Sequence, residues 1–212
     1  MKEINLETWD RREHFHYFLR NDLPFYNTCF NIEITGLPDF AKSRSLSLMN
    51  CITFLTMKSL LQIENFLYRL ENGKVYLYEN LDLSMTYLRE NEKLFGITTV
   101  EYNEDLGTFD RNVKEAIRKS DQYFDDSLLQ NRSNFVYIST LPWISFTSID
   151  HPMGLKKEDG IPRVTWGKFF ESDGALLLPY NIQVNHIFVD GYHVGKFHNI
   201  LQKEIKLLIE QG

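Results

Sequence analysis

Apolar residues recur along the chain with two different periods, and the switches between them mark out its elements. Phe30, Ile32 and Ile34 alternate with polar neighbours, the period of a half-buried strand, so Thr28 to Ile34 is predicted as a strand. From about Leu46 to Phe66 the apolar positions fall at helical spacing, which predicts a core helix. Asn72-Gly73 is a hairpin-turn dipeptide; after it Lys74 to Tyr78 reads as a strand, with Val75 and Leu77 on one face and Tyr76 and Tyr78 on the other. Between Glu104 and Tyr123, Phe109, Val113 and Ile117 line one side of a charged stretch. That is an amphipathic helix, with the charge run Lys114 to Asp121 as its solvated face. Asn134 to Ser139 and Leu176 to Phe188 are strand-like, the second long and rich in Leu, Ile and Val on both faces, which implies a central position. Phe197, Leu201, Ile205 and Leu208 form the packing stripe of a closing helix over Lys196 to Glu210. Near the start, Thr8 is placed to cap a short helix whose apolar contacts are Trp9, Phe15 and Phe18.

Helices mixed with sequential strands predict an α/β (α+β) two-layer sandwich, a mixed β-sheet with packed helices. Neither a repeat, a low-complexity tract nor a Pro/Gly/Ser-rich linker interrupts the pattern, so residues 1–212 are expected to form a single domain. With 212 residues, such a domain buries roughly 70% of its unfolded surface. The 43% hydrophobic content, with 16 Phe, 11 Tyr and 3 Trp, supplies a core of that size.

Charge narrows the partners. A formal net charge of -6, with no Lys/Arg block interleaved with aromatics, argues against nucleic acid. Met1-Lys2-Glu3-Ile4-Asn5-Leu6-Glu7 has neither the apolar stretch of a signal peptide nor an Arg-rich face, so a cytoplasmic location without a membrane partner is expected. Cys29 and Cys51 lie in apolar segments without metal-ligand spacing. Free buried thiols and no metal site are the expectation.

One segment suggests a chemistry by itself: Asn185-His186-Ile187-Phe188-Val189-Asp190-Gly191. An apolar run ending in a histidine, followed by a turn that supplies an aspartate, can hold a neutral imidazole in a fixed tautomer, as a general base requires. The pattern is short, and its weight depends on companion segments. These are Trp9-Asp10-Arg11-Arg12-Glu13-His14-Phe15, Ile138-Ser139-Thr140-Leu141-Pro142-Trp143-Ile144-Ser145-Phe146, Thr165 with Gly167-Lys168, and Gln183 through Phe197. Through these, over nearly its whole length, the chain resembles the chloramphenicol acetyltransferases, a trimeric family that acetylates an antibiotic hydroxyl with acetyl-CoA. Lipoyl-dependent acyltransferases and peptide-synthetase condensation domains share the His-x-x-x-Asp-Gly core. They are longer or carry a swinging arm.

The resemblance implies a role for each matching residue. His186 stands at the family's general base, Ser139 at the serine that donates to the tetrahedral oxyanion, and Thr165 at the threonine that supports the same intermediate through a water. Asp190 and Arg11 stand at its buried ion pair, Gly191 at a tight turn, and His193 and His14 read as satisfied structural histidines. Tyr17, Phe18, Tyr26 and Phe95 match aromatics of the acceptor pocket, with Ile149, His151, Arg163 and Asn185 beside them. Asn185 replaces the first histidine of a His-His pair, while His151 and Arg163 stand where the family tends to be apolar. Ser47 falls at a lysine that favours the coenzyme's phosphates, leaving Lys168 and Arg44 as nearby candidates. The expected enzyme is a homotrimer with sites between subunits, transferring acetyl from acetyl-CoA to chloramphenicol. The alternatives are another small-molecule hydroxyl acceptor, or a non-catalytic trimer that binds a hydrophobic ligand.

Overall fold

A computed structural model describes residues 1–124, 132–154, 156 and 158–211. In chain order the elements are β1 (Lys2–Glu3), α1 (Arg12–Phe18), β2 (Phe25–Glu33), α2 (Leu37–Ser43), α3 (Leu48–Leu60), β3 (Tyr68–Glu71), β4 (Lys74–Leu77) and β5 (Asp82–Tyr87). There follow β6 (Gly96–Val100), α4 (Leu106–Lys119), β7 (Phe135–Leu141), β8 (Arg163–Gly167), β9 (Phe170–Ser172), β10 (Ala175–Asn185) and α5 (Gly191–Glu210).

The main sheet has the order β2-β10-β8-β7-β5-β6, with β9 added beside β10. Its β8/β7 and β7/β5 pairs are parallel and the rest antiparallel, the mixed α+β architecture expected. A smaller sheet orders β1-β4-β3. Asn72 and Gly73 both take positive φ, 51° and 77°, and close the β3–β4 hairpin with Glu71 opposite Lys74. Two consecutive left-handed residues match the twist of the strands they join.

Strand β10 runs through the centre, and its period of two sorts the protein into layers. Leu178, Tyr180, Ile182 and Val184 face the helices, joined by Val164 of β8 and Ile138 of β7 in the same core. Phe197, Leu201 and Ile205 of α5 close that core from above. The other face differs from the sequence expectation of Leu, Ile and Val on both sides. Asn181, Gln183 and Asn185 occupy it, all buried, so β10 is central but only one of its faces is apolar. A buried amide needs hydrogen-bond partners, and that polar face is where the chemistry-bearing residues gather.

Element ends moved for local reasons. The helix expected over Leu46 to Phe66 is α3, capped by Ser47, whose side chain accepts from Asn50 N. It stops at Leu60, before Ile63 turns extended and a short 3₁₀ turn covers Glu64–Phe66. Thr8 does not cap α1: its hydroxyl bonds Asn5 O, and Arg11 holds the cap position. The closing helix begins at Gly191, not Lys196, because Asp190 starts it. Arg69, fully buried, donates to the carbonyls of Ser133, Phe66, Tyr68 and Phe135, and burial pushes its guanidinium down to about 10. No helix among the described residues is long and apolar enough to cross a membrane.

Candidate active site

His186 lies in the turn directly after β10, where its own N–H donates to Pro24 O at 2.7 Å. Phe18 of α1 stacks on the imidazole, with centroids 3.8 Å apart and planes 10° from parallel. Tyr26 of β2 flanks it at 4.8 Å. The ring's Nδ1 stands 3.1 Å from Asp190 Oδ1, off the hydrogen-bond direction, and this nitrogen is buried with no hydrogen-bond partner among the described residues. A carboxylate oxygen that close still favours the tautomer with the proton on Nδ1. About a third of the side chain is exposed, which leaves Nε2 as the nitrogen able to meet a substrate.

The turn carrying His186 is clamped by Arg11. Its guanidinium donates to both Asp190 oxygens at 2.6 Å, and also to the carbonyls of Ile187 and His186 at 2.9 Å. Partial burial pushes the Asp190 carboxyl up, but the bonds and charge of Arg11, with the nearby histidines, outweigh this and hold it below its ordinary value. His193 Nδ1 accepts from Asp190 N at 3.0 Å, so that nitrogen carries no proton. Burial lowers the His193 pKa in agreement, and its 3.7 Å approach to Asp190 is not an ion pair. Burial and the Asp190 charge push the Tyr26 hydroxyl up to about 12. Its oxygen has no hydrogen-bond partner among the described residues, which leaves a donor beside the imidazole.

Ser139 and Thr165 sit elsewhere on the sheet. They pair in register across β7 and β8, and Thr165 in turn lies opposite Asn181 of β10. Thr86 Oγ1 donates to Ser139 Oγ at 3.2 Å, leaving the serine's own proton to give elsewhere. Thr165 Oγ1 is buried without a partner among the described residues. His186 follows Asn181 by five residues, about 16 Å along the strand direction at ~3.3 Å per residue. One chain therefore does not bring His186 to Ser139 and Thr165.

The other predicted residues divide the same way. Tyr17 lies edge-on against Phe18 at 5.1 Å, on the His186 side. His151 Nε2 meets Asn181 Oδ1 at 2.9 Å, over the Thr165 end, on the connection that also carries half-buried Ile149. Arg163 is no free cation: it pairs with Asp159 Oδ2 at 2.5 Å and lies over the Tyr137 ring. Asn185 Nδ2 donates to Asp159 O, and its Oδ1 accepts from Ile187 N. Phe95 packs on Phe124 beside β6, half exposed and remote from His186 along the sheet.

Two expectations are corrected. Gly191 is the first helical residue, its φ is not positive, and an added Cβ would meet nothing within 4 Å; the turn conformation does not require glycine. His14 is exposed on α1, not a satisfied core histidine. Sequence reasoning did not single out Asn181, Thr86 or Tyr137, whose roles come from strand register, nor Asp159, which lies on the connection before β8. Only the four-residue spacing of Asp159 and Arg163 hinted at a pair.

A cavity of about 170 Å3 lies on the helix face of the sheet, between the start of α3 and the ends of β7 and β8, where Thr140 and Leu178 face it. Leu48, Met49, Pro142, Trp166, Lys168 and Phe169 are among its lining residues. Gly167 has to be glycine here, because a Cβ would stand 2.7 Å from Ile144 O. Cys29 and Cys51 are free thiols. Among the described residues no group of His, Cys, Asp and Glu could hold a metal ion.

A mixed sheet with helices on one face and an imidazole braced at the end of its central strand define the class: an acyltransferase. A family model for chloramphenicol acetyltransferase matches residues 1–202, and the chain belongs to that family. Chloramphenicol acetyltransferases of Staphylococcus aureus and Clostridium perfringens are 30% and 29% identical. The alignments span 96% of this chain and 98% of the first protein, and 94% of this chain and 92% of the second. A solved chloramphenicol acetyltransferase superposes with TM-score 0.88 at 23% identity, over 95% of this chain and 99% of that one. The dihydrolipoamide acetyltransferase of Azotobacter vinelandii shares the fold more loosely, with TM-score 0.67 at 16% identity over 93% of this chain and 88% of that one.

Proposed function

We propose that the protein is an acetyl-CoA-dependent O-acetyltransferase that acetylates a hydroxyl of chloramphenicol, with His186 as general base. The observation that carries this reading is the clamped imidazole, with Nδ1 turned to Asp190 and Nε2 left for substrate. In this mechanism Nε2 takes the acceptor's hydroxyl proton as its oxygen attacks the thioester carbonyl. Ser139 donates its hydrogen bond to the oxyanion that forms, a bond absent from the planar ground state. Thr165, whose buried hydroxyl has no partner among the described residues, holds a water against the same intermediate. Collapse expels the CoA sulfur, which takes the proton back from His186 and leaves as the thiol. No acetyl-enzyme forms.

The largely apolar cavity lined by Leu48, Met49, Thr140 and Trp166 on the helix side of the sheet suits the thin arm of acetyl-CoA, with Lys168 in its lining as the cation for the coenzyme's phosphates. Because His186 stands about 16 Å along the sheet from Thr165, a complete site needs a second copy of the chain. This supports a homotrimer in which the base of one subunit serves the Ser139 end of its neighbour. Exposed Trp143, Ile144 and Phe95, at 65%, 56% and 51%, are then interface material. The chain acts as one domain in the cytoplasm.

A second acceptor class is favoured by one observation. The face carrying Thr165 also carries the partly buried pairs Arg163–Asp159 and His151–Asn181, which give the site more polar surface than a flat aryl ligand requires. The deciding experiment is thiol release from acetyl-CoA with chloramphenicol, with no acceptor, and with His186→Ala. Release that needs both chloramphenicol and His186 supports the reading. No release, while acetyl-CoA still raises the melting temperature, moves the search to another hydroxyl.

A further inference from the structure

Arg11 holds the His186 turn through the carbonyls of His186 and Ile187 and through Asp190. A second set of contacts is built on Asn185, the residue before the base. Asn185 is 4% exposed and both ends of its amide are used. Its Oδ1 accepts from Ile187 N at 3.0 Å, which locks the turn, and its Nδ2 donates to Asp159 O at 3.0 Å, which ties the turn to another segment.

That other segment is itself rigid. Asp159 Oδ1 accepts from Ile161 N, and Oδ2 receives Arg163 at 2.5 Å. Arg163 also donates to Ile161 O and rests on Tyr137 at 5.3 Å, so the loop is anchored at the first residue of β8. Next to Asp159, Gly160 lies so close to Phe188 that a Cβ would stand 2.8 Å from its ring. Phe188 belongs to the same turn as His186. The residues from Asp159 to Arg163 therefore press on that turn through one apolar contact and grip it through one hydrogen bond.

We propose that Asn185, with the Asp159–Arg163 pair behind it, is a positioning device for His186, a second brace that acts with Arg11 to set where Nε2 points. The proposal rests on His186 being the base. Two clamps bonded to different groups of a short turn, the carbonyls of His186 and Ile187 for one and the N–H of Ile187 for the other, restrict its rotation as one clamp cannot, and the angle at which Nε2 meets the acceptor hydroxyl depends on that rotation. Misplacing a reacting group by about 1 Å can cost on the order of 100-fold in rate. Loosening the brace therefore slows the chemical step and leaves substrate binding alone.

The amide's two bonds have opposite polarity, and this distinguishes positioning from simple packing. Asn185→Asp keeps the size and the acceptor for Ile187 N but cannot donate to Asp159 O, against which a carboxylate is repelled. Asn185→His offers one ring nitrogen as acceptor and the other as donor. At a temperature where each variant is fully folded, Asn185→Asp is expected to lose at least about tenfold in kcat, with KM for acetyl-CoA and acceptor within about twofold. Asn185→His is expected to keep most of kcat. Asp159→Asn with Arg163→Met, which removes the ion pair without leaving a lone charge, is expected to lower kcat likewise with KM for acetyl-CoA unchanged, while KM for the acceptor moves because Arg163 also lies on the acceptor face.

Wild-type kcat in folded Asn185→Asp, or losses that appear in KM alone, would overturn the brace. His186→Ala measured alongside separates the two ideas. Turnover retained in His186→Ala removes the base assignment and the brace with it. Turnover lost there but intact in Asn185→Asp removes the brace only.

Discussion

Replacing Asp190 by Asn keeps the shape of the side chain and deletes its charge, which tests the Arg11 clamp directly. The pair is bidentate at 2.6 Å, with Arg11 8% and Asp190 28% exposed. Breaking a buried pair by removing one partner costs about 3–5 kcal/mol. Asp190 is partly open and Arg11 retains its two carbonyl bonds, so the lower end, about 3 kcal/mol, is expected. For a chain of this length each kcal/mol is worth about 2–4 °C in melting temperature, giving a drop of about 6–12 °C at pH 7. The carboxyl's folded pKa lies below its unfolded one. The stabilisation is therefore complete above about pH 4 and fades as pH falls through the lower, folded value. Melting curves of both proteins between about pH 3 and pH 8 should show a constant gap above pH 4 that closes below it. Salt near 1 M should change it little, because the pair is mostly desolvated. A gap under about 1 °C at every pH would refute the clamp.

Three further outcomes follow from the same geometry. His186→Ala should lower turnover by at least about 10²–10⁴-fold with a near-native melting temperature, since the ring touches Phe18 and Tyr26 but accepts no side-chain hydrogen bond; normal turnover would remove it as the base. Ser139→Ala should lower kcat by about 10²–10³-fold with little change in KM. If sites are shared between subunits as proposed, refolding it together with His186→Ala should restore part of the activity through mixed assemblies with an intact site, and no recovery would argue against that sharing. Arg69→Met should strand several carbonyls in the core at about 1–3 kcal/mol each, lowering soluble yield and melting temperature well beyond Asp190→Asn; a wild-type melt would refute that role.

Much of the fold can be read from periodicity alone. A strand buried on its helix side has to alternate, as Phe30, Ile32 and Ile34 do, and an amphipathic helix has to repeat, as Phe109 and Val113 do. Asn72-Gly73 fixes a hairpin because few other residues accept two positive φ values in succession. The His-x-x-x-Asp spacing places Asp190 beside His186 by local geometry, and the Trp9-to-Phe15 segment carries Arg11 through its family resemblance. What stayed hidden depends on which strands lie side by side. Asn181, Gln183 and Asn185 alternate with Tyr180, Ile182 and Val184 along the chain, so the polar face is marked in the sequence, and only the register with β2 and β8 shows which residues that face meets. Asp159 met Asn185 only after the chain folded back, and Gly191 looked like a turn because sequence cannot report φ. Local spacing thus determined most of the elements and pointed to His186 as the candidate base. Tertiary structure alone decided its bracing and its distance from Ser139, because hydrogen bonds across strands join residues whose separation along the chain says nothing about their separation in space.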